Sequence, residues 1–200
     1  TGPLFFLITA ITIGFTAGLT VITAQRFGAG DEEGVRKSAA ASIVISTIYT
    51  LSVSFIMLGL ITPILKLMNV PQEIFTEAKA FISMITMGLI MIVFYNLLAN
   101  IIRALGDSKT PLYFLIFSAL LNIVLNYILI KYFGFGVEGS ALGTIISLSI
   151  SVICCYFYII KKYPLLHLHK SDWKLDWNFC KQHIIIALPM GIQFSIIALS

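Results

Sequence analysis

Charge is scarce in this 200-residue sequence, and it is missing from the middle of the long apolar runs. Charged residues make up 11% of the chain, hydrophobic residues make up 58%, and the mean hydropathy is +0.98. A soluble domain with this composition would have too little polar surface to cover itself, so apolar faces must contact lipid. The composition therefore predicts an integral membrane protein embedded in the lipid bilayer.

Cysteine is also scarce, and its placement does not suit a disulfide framework. Cys154 and Cys155 are adjacent within an apolar run, and Cys180 lies in a polar segment. The net charge of +4 comes from basic residues that are scattered among loops, without a continuous patch of basic and aromatic residues. We therefore expect neither redox chemistry nor a nucleic-acid partner.

Groups suited to catalysis are missing from the middle of the apolar runs. These regions contain no carboxylate that could act as a base or nucleophile, and all three histidines lie in or beside the polar segment 161–183. The spacing of His167, His169, Cys180 and His183 matches no strong zinc motif, and we interpret these histidines as solvated. The sequence predicts that the chain is not an enzyme and carries no organic cofactor or catalytic metal.

Apolar residues are abundant, and they form runs long enough to cross a bilayer. We predict five complete spans and part of a sixth, at about 3–25, 38–65, 74–102, 111–133, 139–160 and 184–200. In the first span, Gly14 and Gly18 have the small-residue spacing that favours a close helix crossing. The predicted fold class is an all-α polytopic transmembrane helix bundle.

The polar segment 161–183 is predicted to be a cytoplasmic interfacial linker between the fifth and sixth spans. Trp173, Trp177 and Cys180 recur at the spacing of one helical face, with lysines beside them, which favours a short amphipathic helix at the membrane interface. The chain begins at Thr1 without a charged leader and stops inside an apolar run, so we expect a fragment of a longer protein.

Lysine and arginine are unequally distributed between the two sides of the predicted bundle. When the loops are assigned alternately, ten basic residues fall on one side: Arg26, Arg36, Lys37, Arg103, Lys109, Lys161, Lys162, Lys170, Lys174 and Lys181. Three fall on the other side: Lys66, Lys79 and Lys131. By the positive-inside rule, loops 26–37, 103–110 and 161–183 are predicted to be cytoplasmic. The Thr1 end is predicted to lie at the outer face of the cell membrane.

A few uncharged polar residues lie inside the spans. Asn122 and Asn126 are four residues apart, so their amides share one helical face. With a rise of about 1.5 Å per residue, Asn126 lies ~10 Å, and Thr144 of the next helix about 8 Å, below the same outer end. Oxygen atoms at a common depth suit a hard cation such as sodium. For Asn100 and Gln193, a hydrogen bond between helices is the favoured interpretation.

Several sequence motifs follow one another in a characteristic order. VITAQRFGAGDEEGVRKS spans 21–38, R-A-L-G-D spans 103–107, N-x-x-x-N-Y-x-L-I spans 122–130, G-x-x-G-S-A-L-G-T spans 136–144, and LPMGIQ spans 188–193. With these motifs the chain resembles, over its whole length, the multidrug and toxic compound extrusion (MATE) family of exporters.

The resemblance implies helices two to seven of a twelve-helix protein made of two similar six-helix lobes. The chain would then hold a first lobe without its first helix, followed by the start of the second lobe. The implied function is cation-coupled antiport, driven by protons or sodium, in which a monomer exports amphipathic drugs or toxic small molecules by alternating access between the lobes. Two alternatives stay open: a lipid-linked oligosaccharide flippase of the same superfamily, and a non-transporting membrane assembly subunit.

The resemblance also implies roles for individual residues. The family's first-lobe cation site combines a first-helix aspartate, an asparagine and an aspartate four residues apart on the fifth helix, and a threonine on the sixth. Asn122 and Thr144 match this pattern, whereas Asn126 stands where aspartate is frequent, and an amide does not titrate. Asn122, Asn126 and Thr144 are therefore expected to form a cation-coupling pocket able to hold sodium. Asn96 falls where the family places a substrate-binding asparagine.

Overall fold

The computed structural model describes residues 2–67 and 69–199, and every long element within them is an α-helix. The helices are α1 (Gly2–Leu19), α2 (Val21–Gly28), α3 (Glu32–Leu67), α4 (Gln72–Ala104), α5 (Lys109–Lys131), α6 (Val137–Lys162) and α7 (Trp177–Leu199). Two 3-10 turns, Pro164–Leu166 and Lys170–Trp173, lie between α6 and α7. Six helical segments, with α1 and α2 counted together, are long and apolar enough to cross a membrane. The predicted all-α transmembrane bundle is confirmed.

Helix α3 is longer than the predicted span 38–65. It begins at Glu32 because Asp31 caps it, with Asp31 Oδ1 accepting a hydrogen bond from the Gly34 amide at 2.9 Å. This bond, aided by Arg26 Nη1 at 3.0 Å from Asp31 Oδ2, holds the pKa of the Asp31 carboxyl below its ordinary value. The helix therefore continues beyond its apolar run into a charged turn.

The linker does not form the separate amphipathic helix predicted for it. Helix α7 begins at Trp177 rather than at 184, so Trp177 and Cys180 lie in its first turn, while Trp173 ends the second 3-10 turn. The prediction was wrong because the first turns of α7 pack against α1, α2 and α3, which extends the last membrane helix into the linker. Thr1 and Ser200, which bound the predicted segments, lie outside the described residues.

The first predicted span, 3–25, is interrupted at Thr20. The Thr20 amide and the Thr20 hydroxyl both donate to the carbonyl oxygen of Ala17, at 3.2 and 2.9 Å, and this tight turn ends α1. The chain then continues as α2 up to Gly28. A single predicted span is therefore built from two helices joined at a turn.

Helix α1 packs closely against α7, at the two glycines that favour such a crossing. A methyl group placed on Gly18 would lie 2.5 Å from Ala187 Cα, and one on Gly14 would lie 2.5 Å from Met190 O. Only residues without a β-carbon leave room for this approach. The glycine spacing thus marks the contact between α1 and the helix that follows the linker.

The loops 26–37, 103–110 and 161–183 lie together at one end of the bundle, called the loop end below. Contacts between the loops establish this, because Asp107 bonds to Lys162 at 2.8 Å and Asp172 lies 3.4 Å from Arg36. Side chains from α3, α4, α6 and the linker pack into a core beside them: Val35, Ala39, Leu97, Leu98, Ile101, Ile102, Cys155, Ile159 and Leu166. Helix α5, by contrast, exposes apolar side chains to its surroundings: Leu120, Ile123, Val124 and Tyr127.

Candidate functional site

The contact between α5 and α6 contains a continuous chain of polar side chains. Asn126 Nδ2 donates to Asn122 Oδ1 at 3.1 Å, and Asn122 Nδ2 donates to Thr144 Oγ1 at 3.1 Å. The Thr144 hydroxyl in turn donates to the backbone carbonyl of Ser140 at 3.0 Å. The structure therefore brings the three residues of the predicted pocket into one hydrogen-bonded row, which we call the asparagine row.

The asparagine row ends in an unpaired oxygen atom. Asn126 Oδ1 is buried and has no hydrogen-bond partner among the described residues. It packs directly against Gly143 of α6, where the β-carbon of any other residue would overlap with it. A buried oxygen without a donor costs about 1–3 kcal/mol. The row thus presents one neutral oxygen that a cation or a proton donor could satisfy.

Asn96 lies apart from the asparagine row, in the second half of α4. It is partly exposed, and its amide nitrogen donates to the Ile92 carbonyl of its own helix at 2.8 Å. Asn100, one turn later, is buried; its Nδ2 donates to Thr16 Oγ1 at 3.4 Å and its Oδ1 accepts from Arg103 at 2.8 Å. Asn100 therefore makes the helix-to-helix bond expected of a packing residue, whereas the Asn96 side chain bonds only within α4 among the described residues.

The profile of the MatE family matches residues 1–128. This chain belongs to the MatE family. The resemblance to multidrug and toxic compound extrusion proteins is thereby confirmed.

Curated relatives of this MatE chain carry names that refer to drug resistance. Probable multidrug resistance protein YpnP of Bacillus subtilis (strain 168) is 31% identical over 185 residues, which cover 90% of this chain and 40% of the relative. Probable multidrug resistance protein NorM of Thermotoga maritima is 28% identical over 198 residues, covering 94% of this chain and 41% of the relative. The chain therefore spans about two fifths of the length of these relatives.

Solved structures of MATE transporters share the fold of this MatE chain. An inward-facing multidrug resistance MATE family transporter superposes with a TM-score of 0.90 at 26% identity, covering 98% of this chain and 45% of the other. An outward-facing one superposes with a TM-score of 0.87 at 27% identity, covering 96% and 43%. Both likenesses extend over almost all of the present chain.

Two of the three histidines of the MatE chain differ sharply in their surroundings. His167 is exposed, and its Nε2 lies 3.1 Å from the Ile160 carbonyl. His183 is fully buried and contacts Ser38 of α3, so the interpretation of solvated histidines was wrong for this residue. The burial follows from the register of α7, since His183 lies four residues before the buried Ala187 on the same helical face. Within the described residues, no group of three or more histidine, cysteine or acidic side chains is placed to hold a metal ion.

Asp107 of the R-A-L-G-D motif accepts several hydrogen bonds at the loop end. Its Oδ2 accepts from Lys162 Nζ at 2.8 Å, Thr110 Oγ1 at 2.7 Å, Tyr158 OH at 3.1 Å and Tyr163 OH at 3.3 Å, while the Thr110 amide donates to Oδ1 at 3.0 Å. Lys162 first, and then the bonds from Thr110, hold the pKa of the Asp107 carboxyl far below its ordinary value. Burial raises the pKa of Tyr163. The motif therefore fastens the turn between α4 and α5 to the end of α6.

A second carboxylate fastens the linker to α3. Asp172 is 2% exposed; its Oδ2 accepts from the His169 amide at 2.8 Å and lies 3.4 Å from Arg36 Nε. A buried carboxylate is stabilised when a backbone donor and a cation accompany it. Sequence spacing does not reveal this contact, because Arg36 and Asp172 are far apart in the chain.

Proposed function

We propose that this MatE chain is the first lobe, and the start of the second, of a cation-coupled antiporter that exports amphipathic drug-like molecules. Three observations support the proposal: membership of the MatE family, relatives named as probable multidrug resistance proteins, and the asparagine row between α5 and α6. Solved neighbours described as inward-facing and outward-facing support transport by alternating access between two lobes.

The unpaired Asn126 Oδ1 is the observation that carries the coupling part of the proposal. A sodium ion would gain a neutral oxygen there, with Asn122 Oδ1 and Thr144 Oγ1 nearby in the same row. Alternatively, a protonated carboxylic acid outside this chain would donate a hydrogen bond to Asn126. In both cases the charge must come from a residue elsewhere, because amides and hydroxyls do not titrate near neutral pH. The proposal therefore leaves protons and sodium as alternative coupling ions.

Asn96 is proposed as a substrate-binding residue. Its side chain is partly exposed and uses its nitrogen for a bond to Ile92 O, which leaves the amide oxygen directed away from that bond. Solved MATE structures described as complexes with MaD3S and MaL6 show that neighbours of this fold bind ligands. An amide beside apolar side chains suits amphipathic molecules.

The membrane orientation is part of the same proposal. The loop end carries ten of the thirteen basic residues, so we propose that it faces the cytoplasm and that the opposite end, near Gln72, faces outward. We further propose that the full-length protein is a monomer of the cell membrane. Single cysteines at Ser108 or Ser171 should then react only with reagents added from the cytoplasmic side, and a cysteine at Gln72 only from outside. The reverse labelling pattern would overturn the orientation.

A flux assay on the full-length protein in proteoliposomes tests the function. We expect a fluorescent cationic drug to move against its gradient when a proton or sodium gradient is imposed, and to stop when the gradient is collapsed. Transbilayer movement of a lipid-linked oligosaccharide without drug transport would instead indicate a flippase, and no flux of either would indicate an assembly subunit. The names of the relatives do not favour either alternative.

A further inference from the structure

His183 is bonded through both of its ring nitrogens. Nε2 lies 2.8 Å from Ser38 Oγ of α3, and Ser38 Oγ lies 2.8 Å from Thr23 Oγ1 of α2. Nδ1 lies 2.9 Å from the Phe179 carbonyl, one turn earlier on α7. All three side chains are fully buried. A single chain of hydrogen bonds therefore joins α2, α3 and α7.

The chemistry of the Phe179 carbonyl fixes the direction of this chain. A carbonyl oxygen can only accept, so Nδ1 must carry a hydrogen. In a neutral ring Nε2 then has no hydrogen and must accept the bond from the Ser38 hydroxyl. Ser38 Oγ is left to accept from Thr23. With a neutral ring, every group in the chain has the partner that it needs.

A second proton on the ring would reverse the bond to Ser38. Nε2 would then donate to Ser38 Oγ, and the Ser38 hydroxyl hydrogen, which the neutral ring accepts, would need a different acceptor. The ring would also carry a positive charge in a buried position, which is costly without a counter-ion. Protonation therefore destabilises the packed arrangement seen here.

Among the described residues, the neighbouring charges supply no free counter-ion for a protonated ring. On α2, Arg26 is itself paired with Asp31, at 3.0 Å. On α3, the basic residues next to Ser38 are already paired, Arg36 with Asp172 and Lys37 with Glu33. Helix α1 contains no titratable side chain in its described part. On α7 itself, Cys180 and Lys181 lie nearest to the ring in the sequence, and neither supplies a negative charge at neutral pH.

We propose that His183 is a proton-binding site whose occupancy and the docking of α7 on α2 and α3 are mutually exclusive. The neutral ring holds α7 in place, and a proton binds only when α7 has moved away. The site goes beyond the proposed function, because it concerns one helix contact and does not depend on what is transported. The preference for the docked state is then constant above the ordinary histidine pKa of about 6.5 and weakens progressively as the pH falls below it.

Spin labels test this proposal in the full-length protein, in nanodiscs and in a background without other cysteines. Labels at Glu32 on α3 and Gln182 on α7, both exposed, report the separation of the two helices. We expect one short distance at pH 8. Below about pH 6.5 a longer distance should appear, and the ratio of its population to that of the short distance should rise about tenfold for each pH unit. The variant His183→Gln keeps a bond to Ser38 without titrating and should show the short distance at every pH, whereas His167→Gln should behave like wild type.

Two results would overturn the proposal. One is a distance distribution of the wild-type protein that does not change between pH 8 and pH 5. The other is the same pH response in His183→Gln as in wild type. If the variant fails to fold, ¹⁵N NMR of the wild-type ring decides: the doubly protonated signal must appear together with the long distance, and its appearance without the long distance rejects the inference. Drug flux is not measured, so failure here leaves the transport proposal standing.

Discussion

The loop end and the α5–α6 contact use polar groups in opposite ways. At the loop end, the Asp107 carboxylate accepts bonds from five donors, and both ring nitrogens of His183 are bonded. Between α5 and α6, the asparagine row ends in Asn126 Oδ1, which has no donor among the described residues. At the loop end the buried polar atom without a hydrogen bond, Arg36 Nε, still has a charged partner, since it lies 3.4 Å from Asp172 Oδ2. Between α5 and α6 the unpaired atom is a neutral oxygen.

The apolar side chains around the two regions also differ, in how far they are buried. Leu97 and Ile102 of α4, which pack beside the loop end, are fully buried, whereas Ile123 on α5 is 64% exposed. Within a bilayer, burial of this kind replaces lipid contacts with closely packed protein contacts, and it stabilises the bundle through van der Waals packing. We infer that changes in the packed region act first on stability, and that changes in the asparagine row act first on transport.

The largest expected effect on stability comes from the glycine crossing of α1 and α7, one turn from His183. Gly18→Ala should cost about 1–3 kcal/mol, because the new methyl group would lie 2.5 Å from Ala187 Cα. Gly59→Ala is the matched control, since nothing lies within 4 Å of the added carbon. Thermal unfolding of the purified protein checks both variants. Equal melting temperatures would show that α1 and α7 do not pack closely at Gly18.

A change in the asparagine row should lower transport more than it lowers stability. Asn126→Leu removes the donor to Asn122 and the free oxygen, so coupled export should fall about tenfold, with little loss of stability. Asn100→Leu, which breaks a buried helix-to-helix bond, should lower stability more and export less. Efflux normalised to the amount of protein in the membrane makes the comparison. An equal loss of export in both variants would mean that the row is only a packing contact.

A smaller effect on stability is expected in the packed region for the variant Asp107→Asn. The variant should lose about 1 kcal/mol of stability at pH 7, because it weakens the bond to Lys162 and leaves the hydroxyl bonds in place. The pKa of Asp107 is depressed in the folded state, so its contribution is complete above the unfolded pKa of about 3.9 and is lost as the pH falls through the folded pKa. Unfolding at several pH values should therefore show a constant difference between pH 5 and pH 8 that narrows below about pH 4. A difference that disappears between pH 8 and pH 5 would contradict this assignment.

The smallest effect is expected at Asn96. Asn96→Leu should change the relative export of different drugs by several-fold, because one amide near the substrate is replaced by an apolar group. The amount of protein in the membrane should not change, since the Asn96 amide bonds only within α4 in the part of the chain that the structure describes. Transport of a panel of drugs is the measurement. Unchanged export of every drug would indicate that Asn96 does not bind substrate and serves only in packing.

The sequence was sufficient for the parts of the molecule that depend on local spacing. The apolar runs, the glycine pair on α1 and the stacking of Asn122 on Asn126 all follow from helical periodicity. Contacts made across long separations were missed, because nothing in the spacing brings Ser38 to His183 or Arg36 to Asp172. The early start of α7 was missed for the same reason, since packing against α1 to α3 extends the helix beyond its apolar run.

The ion dependence of export in Asn126→Asp proteoliposomes tests the central claim most directly. If the asparagine row is the coupling pocket, a carboxylate at this position places a titratable negative charge where the free oxygen of Asn126 now lies. Drug export by the full-length variant should then depend more steeply on pH or on sodium concentration than export by the wild-type protein. An identical ion dependence for the variant and the wild type would contradict the claim and place the coupling site outside this chain.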